Sequence, residues 1–110
     1  MKKILKDILA FRKERDWEQF HLPKNLAISL VLEANEVLEL FQWTKDNNLP
    51  ENSKQDLKEE LADTYYWLLL LAHEYNIDLE KALEEKMKKN AKKYPVLLAK
   101  GNATKYNKRK

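Results

Sequence analysis

The stretches Glu33-Ala34-Asn35-Glu36 and Glu60-Leu61-Ala62-Asp63 each set two acidic residues three positions apart. On a helix, residues i and i+3 project from one face, so each pair presents two carboxylates to the same side. At about 100° per residue, Leu26, Leu30, Val37, Leu40 and Phe41 share one broad apolar stripe around the first pair. Glu33 falls inside that stripe, and Glu36 lies roughly 60° further round, at its margin. Around the second pair the stripe is Leu57, Leu61, Leu68, Leu71 and Ala72; Glu60 lies at its edge beside Trp67, and Asp63 follows roughly 60° beyond. One such pair is ordinary in a chain with 18 acidic residues and usually marks a solvated face. Two pairs cutting into the apolar stripes of consecutive helices are different, because a buried carboxylate must be paired, neutralised or bound to metal. Facing each other, they form a cage for a divalent cation, and an all-oxygen donor set favours Mg²⁺ or Mn²⁺ over zinc.

Four helices must position these groups. Ile4, Leu5, Ile8, Leu9 and Phe11 recur at helical spacing and predict a first helix from about Lys2 to Trp17. Pro23 suits a first helical turn and opens a second, which runs to about Thr44. Ser53, with Asp56 three residues on, caps a third that ends near Tyr75 and Asn76. Asp78 caps a fourth, stopped by Pro95 after Tyr94. Short connections favour antiparallel neighbours, so the expected fold is an all-α antiparallel helical bundle. A single glycine and three prolines in 110 residues exclude a sandwich or barrel, whose turns need more breakers. Residues 1–100 read as one domain.

The remaining composition limits the chemistry. Without cysteine there is no disulfide framework, thiolate zinc site or thiol nucleophile. A di-iron bundle needs Glu-x-x-His on two helices, and only Glu18 and His21 have that spacing, just before Pro23. The net charge of +3 depends on Lys100, Lys105, Lys108, Arg109 and Lys110, which leave residues 1–99 at −2. Residues 101–110 are therefore expected to be a basic, flexible tail rather than a nucleic-acid-binding face. The longest apolar run, Trp67 to Ala72, is too short to span a bilayer, and the N-terminus lacks the apolar region of a signal peptide. The expected setting is cytoplasmic, with no membrane partner.

The runs Arg15-Asp16-Trp17-Glu18-Gln19-Phe20-His21, Glu33 to Trp43 and Glu59-Glu60-Leu61-Ala62-Asp63, with Lys86 to Pro95, together resemble the MazG-like nucleotide pyrophosphohydrolases. Within that family they are most similar to the dCTP pyrophosphatase branch. The likeness extends from about Phe11 to Gly101. It implies a homo-oligomer, a tetramer, that holds Mg²⁺ on Glu33, Glu36, Glu60 and Asp63. It also implies hydrolysis of a deoxynucleoside triphosphate, dCTP or a modified dCTP, to the monophosphate and pyrophosphate. The base-binding positions implied are Trp17, His21, Trp43, Trp67 and Asn90. Lys86 and Lys93, near Asn90 on the fourth helix, are expected at the phosphates. Leu32 stands where many MazG proteins carry a further glutamate, a residue that the dCTP branch likewise lacks. Two alternatives remain open: another nucleotide such as dUTP, for which the four acids would be unchanged, and a non-catalytic helical oligomerisation module.

Overall fold

The computed structural model describes residues 2–108. Five helices follow in order: α1 (Lys3–Glu14), α2 (Pro23–Glu39), α3 (Lys54–Glu74), α4 (Leu79–Lys93) and the short α5 (Val96–Ala99). Single 3₁₀ turns lie at Glu18–Phe20 and Tyr106–Lys108, and there is no strand among the described residues. None of these helices is long and apolar enough to cross a membrane. The chain divides into two compact units, Met1–Asn76 and Ile77–Lys110.

In the first unit, α1 ends three residues earlier than its apolar spacing predicts, and the reason is local. Asp16 adopts a left-handed backbone, φ 54°. The Trp17 amide then donates to the Arg12 carbonyl at 3.0 Å and the Asp16 amide to Lys13 at 3.0 Å, which is a Schellman closure. Such closures carry an apolar contact across the helix end. Here it is Trp17 set edge-on against Phe11, ring centroids 5.6 Å apart. Pro23 occupies the first turn of α2. That helix stops at Glu39, short of the expected Thr44, and tightens into i→i+3 bonds, such as Phe41 N–H to Leu38 at 2.9 Å. The Thr44 hydroxyl donates to the Phe41 carbonyl at 2.9 Å and so competes for a helical acceptor. Ser53 does precede α3, but its side chain makes no capping bond. Asn76, also left-handed at φ 54°, closes α3.

The core joins three helices: Ile8 of α1, Leu26 of α2 and Leu70 of α3, with Leu9, Tyr66, Trp67, Leu69 and Leu71 packed against them. Leu26 and Leu70 are both 0% exposed. Leu26 lies near the start of α2 and Leu70 near the end of α3, so the two helices run antiparallel and their middles, which carry the acidic pairs, are brought side by side. Arg12 is also buried and pairs with Glu74 at 3.1 Å, tying α1 to the last turn of α3. This core is small. Val31 (67% exposed), Leu32 (61%) and Leu38 (65%) leave an apolar face of α2 uncovered.

In the second unit, Asp78 caps α4 by accepting from the Lys81 amide at 3.2 Å. Tyr106, in the basic tail, packs edge-on against Tyr94 with centroids 6.0 Å apart, and its amide donates to the Tyr94 hydroxyl at 3.3 Å. The Lys93 ammonium lies 4.9 Å from the Tyr106 ring centroid. Arg109 and Lys110 of the tail lie outside the described residues.

Candidate metal and nucleotide site

Glu33 and Glu36 from α2 and Glu60 from α3 each bring one carboxylate oxygen within 4.8 Å of the others. Asp63, one turn beyond Glu60, stands beside this trio. Its charge bears on both Glu33 and Glu60. The crowding shifts the titration of the cluster. A hydrogen bond with Glu36, then burial, then the charges of Glu36, Asp63 and Glu33 push the Glu60 carboxyl up to about 7. Burial, followed by the charge of Glu36, raises Glu33 as well, and the indole N–H of Trp67, donating to it, pulls the other way. With Glu60 pushed up to about 7, the metal-free cluster still binds a proton in part of the molecules near neutral pH.

Two of its oxygens, Oε2 of Glu33 and Oε2 of Glu60, are buried with no protein donor. A buried anionic oxygen without a partner is costly. A hard divalent cation offset by several carboxylates resolves that cost and the mutual repulsion together, and the donors are all oxygen, as Mg²⁺ and Mn²⁺ prefer. The residues present fit such an ion.

Beside the carboxylates opens a cleft of about 480 Å³, whose lining includes Glu33 and Asp63 together with Phe11, Trp17, Tyr66 and Trp67. The rings form a chain of edge-to-face contacts. Phe11 meets Tyr66 at 6.4 Å and Tyr66 meets Trp67 at 5.0 Å. His21 meets Trp67 at 5.3 Å. On the far side of Phe11 the Arg15 guanidinium stacks 3.8 Å from the ring centroid. Burial, and then the nearby charge of Arg12, lower the His21 pKa against the opposing pull of Glu74, so the imidazole is neutral at physiological pH. Its Nδ1 is buried and has no protein partner.

The unit Met1–Asn76 thus gathers Glu33, Glu36, Glu60, Asp63, Trp17, Trp67 and His21 around one region, with Trp17 and Trp67 lining the cleft and His21 against Trp67. Trp43 stands apart, 86% exposed in the turn after α2 and absent from the cleft lining. Lys86, Asn90 and Lys93 lie on α4 in the other unit. Sequence reasoning missed Asp7, Phe11 and Tyr66 as cleft residues. Helical periodicity marks Phe11 as apolar only, Tyr66 precedes the singled-out Trp67, and Asp7, between Lys6 and Ile8, has no distinguishing pattern.

Residues 28–108 match the family model described as MazG-like. The chain belongs to the MazG-like family. It is 45% identical to dCTP pyrophosphatase 1 of Mus musculus over 101 residues, an alignment that covers 87% of this chain and 59% of the mouse protein. With dCTP pyrophosphatase 1 of Homo sapiens the identity is 42%, over 87% of this chain and 59% of the human one. The chain therefore spans about three-fifths of the length of these relatives. A crystal structure described as a pyrophosphatase from Archaeoglobus fulgidus superposes with a TM-score of 0.80 at 39% identity, covering 84% of this chain and 90% of that one.

Proposed function

We propose that this chain is a metal-dependent nucleoside triphosphate pyrophosphohydrolase that converts dCTP, or a modified dCTP, to the monophosphate and pyrophosphate. The observation that carries the reading is the carboxylate trio with Asp63 beside an aromatic cleft of nucleotide size. The mammalian relatives named dCTP pyrophosphatase 1 and the archaeal pyrophosphatase support it.

Glu33, Glu36, Glu60 and Asp63 would hold Mg²⁺, with Mn²⁺ as a substitute. When bound, the ion supplies charge neutralisation at the phosphate oxygens and lowers the pKa of a coordinated water. The protein does the rest. The Trp67 indole N–H favours the charged form of Glu33, the form that would bind a cation. Glu36, the exposed member of the trio, accepts the proton of the attacking water. The base enters the ring-lined cleft and stacks on Trp17 and Trp67. His21, set against Trp67, reads its edge. No protein nucleophile is required.

The working form is a homo-oligomer, a tetramer, in the cytoplasm. The uncovered face of Val31, Leu32 and Leu38 and the exposed Trp43 support assembly, because monomers rarely leave so much contiguous apolar surface in water. In that assembly Trp43 joins the base site. Neither nucleic acid nor membrane is a partner. A panel of canonical and modified triphosphates with Mg²⁺, read as pyrophosphate released, tests the assignment. dCTP should lead, equal rates on dCTP, dATP and dGTP would overturn the base preference, and a dUTP optimum would favour the alternative pyrimidine substrate.

A further inference from the structure

The lining of the cleft holds one carboxylate outside the metal cluster. Glu33 and Asp63 belong to the carboxylate cluster, and the Trp67 N–H is directed to Glu33. Ile8 and Phe11 carry no polar group, and the Tyr66 hydroxyl is buried without a hydrogen-bond partner. Trp17 offers only a donor. Asp7 is the remaining carboxylate among the lining residues, an acceptor with no hydrogen to give, carried on α1 rather than on the helices of the metal cluster.

Its placement is fixed and its side chain is available. Asp7 precedes Ile8, which is 8% exposed and anchors this turn of α1 in the core, and it lies one turn before Phe11 on the same helix face. The carboxylate is itself half-exposed and pairs with Lys3 at 3.2 Å, a side chain 91% exposed. Such a surface pair contributes little, so a ligand takes the carboxylate at small cost. Within an aromatic slot, a carboxylate selects the heterocycle that presents N–H groups on its edge. The exocyclic amino group of cytosine is such a donor, whereas uracil has a carbonyl oxygen at that position, which a carboxylate repels.

We infer that Asp7 is a specificity-determining residue whose carboxylate accepts a hydrogen bond from the exocyclic amino group of cytosine and thereby separates dCTP from dUTP. The inference rests on the pyrophosphohydrolase reading above. A charge-assisted bond at a half-exposed position is worth about tenfold in discrimination.

The test compares the full-length wild type with Asp7→Asn, using kcat/KM for dCTP and dUTP at saturating Mg²⁺ and, separately, equilibrium binding of the α,β-imido analogues of both nucleotides. Asp7→Asn replaces one acceptor oxygen by an amide that donates, so the dCTP/dUTP ratio should fall about tenfold in both measurements, chiefly through a raised KM for dCTP. An unchanged ratio overturns the inference. So does an equal loss on both nucleotides, which places Asp7 at the sugar or phosphates, or a raised Mg²⁺ requirement with the ratio intact, which places it with the cation. If the wild type hydrolyses neither nucleotide, the catalytic reading fails, and the binding ratio alone decides for or against Asp7.

Discussion

Proton and cation compete for the same carboxylates, and the competition has a predictable size. Glu60 titrates at about 7 because it shares a hydrogen bond with Glu36 and faces Glu36, Asp63 and Glu33 in a partly desolvated site. A metal ligand must be deprotonated, so binding of Mg²⁺ displaces this proton. With one proton at about 7, roughly ten of every eleven molecules are protonated at pH 6 and about one in eleven at pH 8. The apparent Kd for Mg²⁺ or Mn²⁺ should therefore tighten about tenfold from pH 6 to pH 8. Calorimetric titrations of the metal alone, in buffers of different ionisation enthalpy, read both the affinity and the proton released. Glu60→Gln should bind more weakly and lose most of this pH slope. The same shift has a stability sign. The folded pKa is raised above the ordinary 4.5, so the metal-free protein keeps this contribution below about pH 4.5 and loses it as pH rises through about 7. Saturating metal should reverse that loss. An affinity that changes less than about twofold between pH 6 and pH 8, or that weakens as pH rises, refutes proton binding by the cluster.

Glu36→Gln and Asp63→Asn keep shape and remove ligand charge; each should lower metal-dependent turnover on the order of 10²-fold or more while circular dichroism stays that of the wild type. Near wild-type rates would show that the carboxylate in question holds no metal. Leu70→Ala empties a fully buried position between α1, α2 and α3 and should cost about 2–5 kcal/mol in urea unfolding, against a negligible change for Leu97→Ala, which is 98% exposed. Light scattering at micromolar concentration should give a multiple of the 13.2 kDa chain mass, and a value equal to that mass would refute assembly through the α2 face.

The acidic pairs were legible because i, i+3 spacing sets the direction of each pair and the apolar stripe of α2 sets the side of the first; on α3 the expected stripe differs from the structure, where Leu61 is 51% exposed and the buried leucine is Leu70. Helix ends were less so. Asp16 looks like any surface aspartate in sequence, yet its left-handed backbone ends α1 early and sets Trp17 against Phe11. The stop of α2 at Glu39 likewise follows a local tightening into i→i+3 bonds at Leu40 and Phe41 that residue types do not mark. Residue type also says little about environment. Trp43 and Trp67 look equivalent as tryptophans, but Trp67 is locked among Tyr66, His21 and Glu33, whereas Trp43 is 86% exposed. Asp7 had no signature, since its meaning comes from the aromatic side chains that α1 and α3 bring near it.

The product analysis of dCTP tests the central claim most directly. Phosphorus NMR of dCTP incubated with the full chain and Mg²⁺ should show dCMP and pyrophosphate appearing in equal amounts, with the reaction stopped by EDTA and restored by excess Mg²⁺ or Mn²⁺. Formation of dCDP and inorganic phosphate, or a rate that EDTA leaves unchanged, would contradict a metal-dependent cleavage between the α and β phosphates.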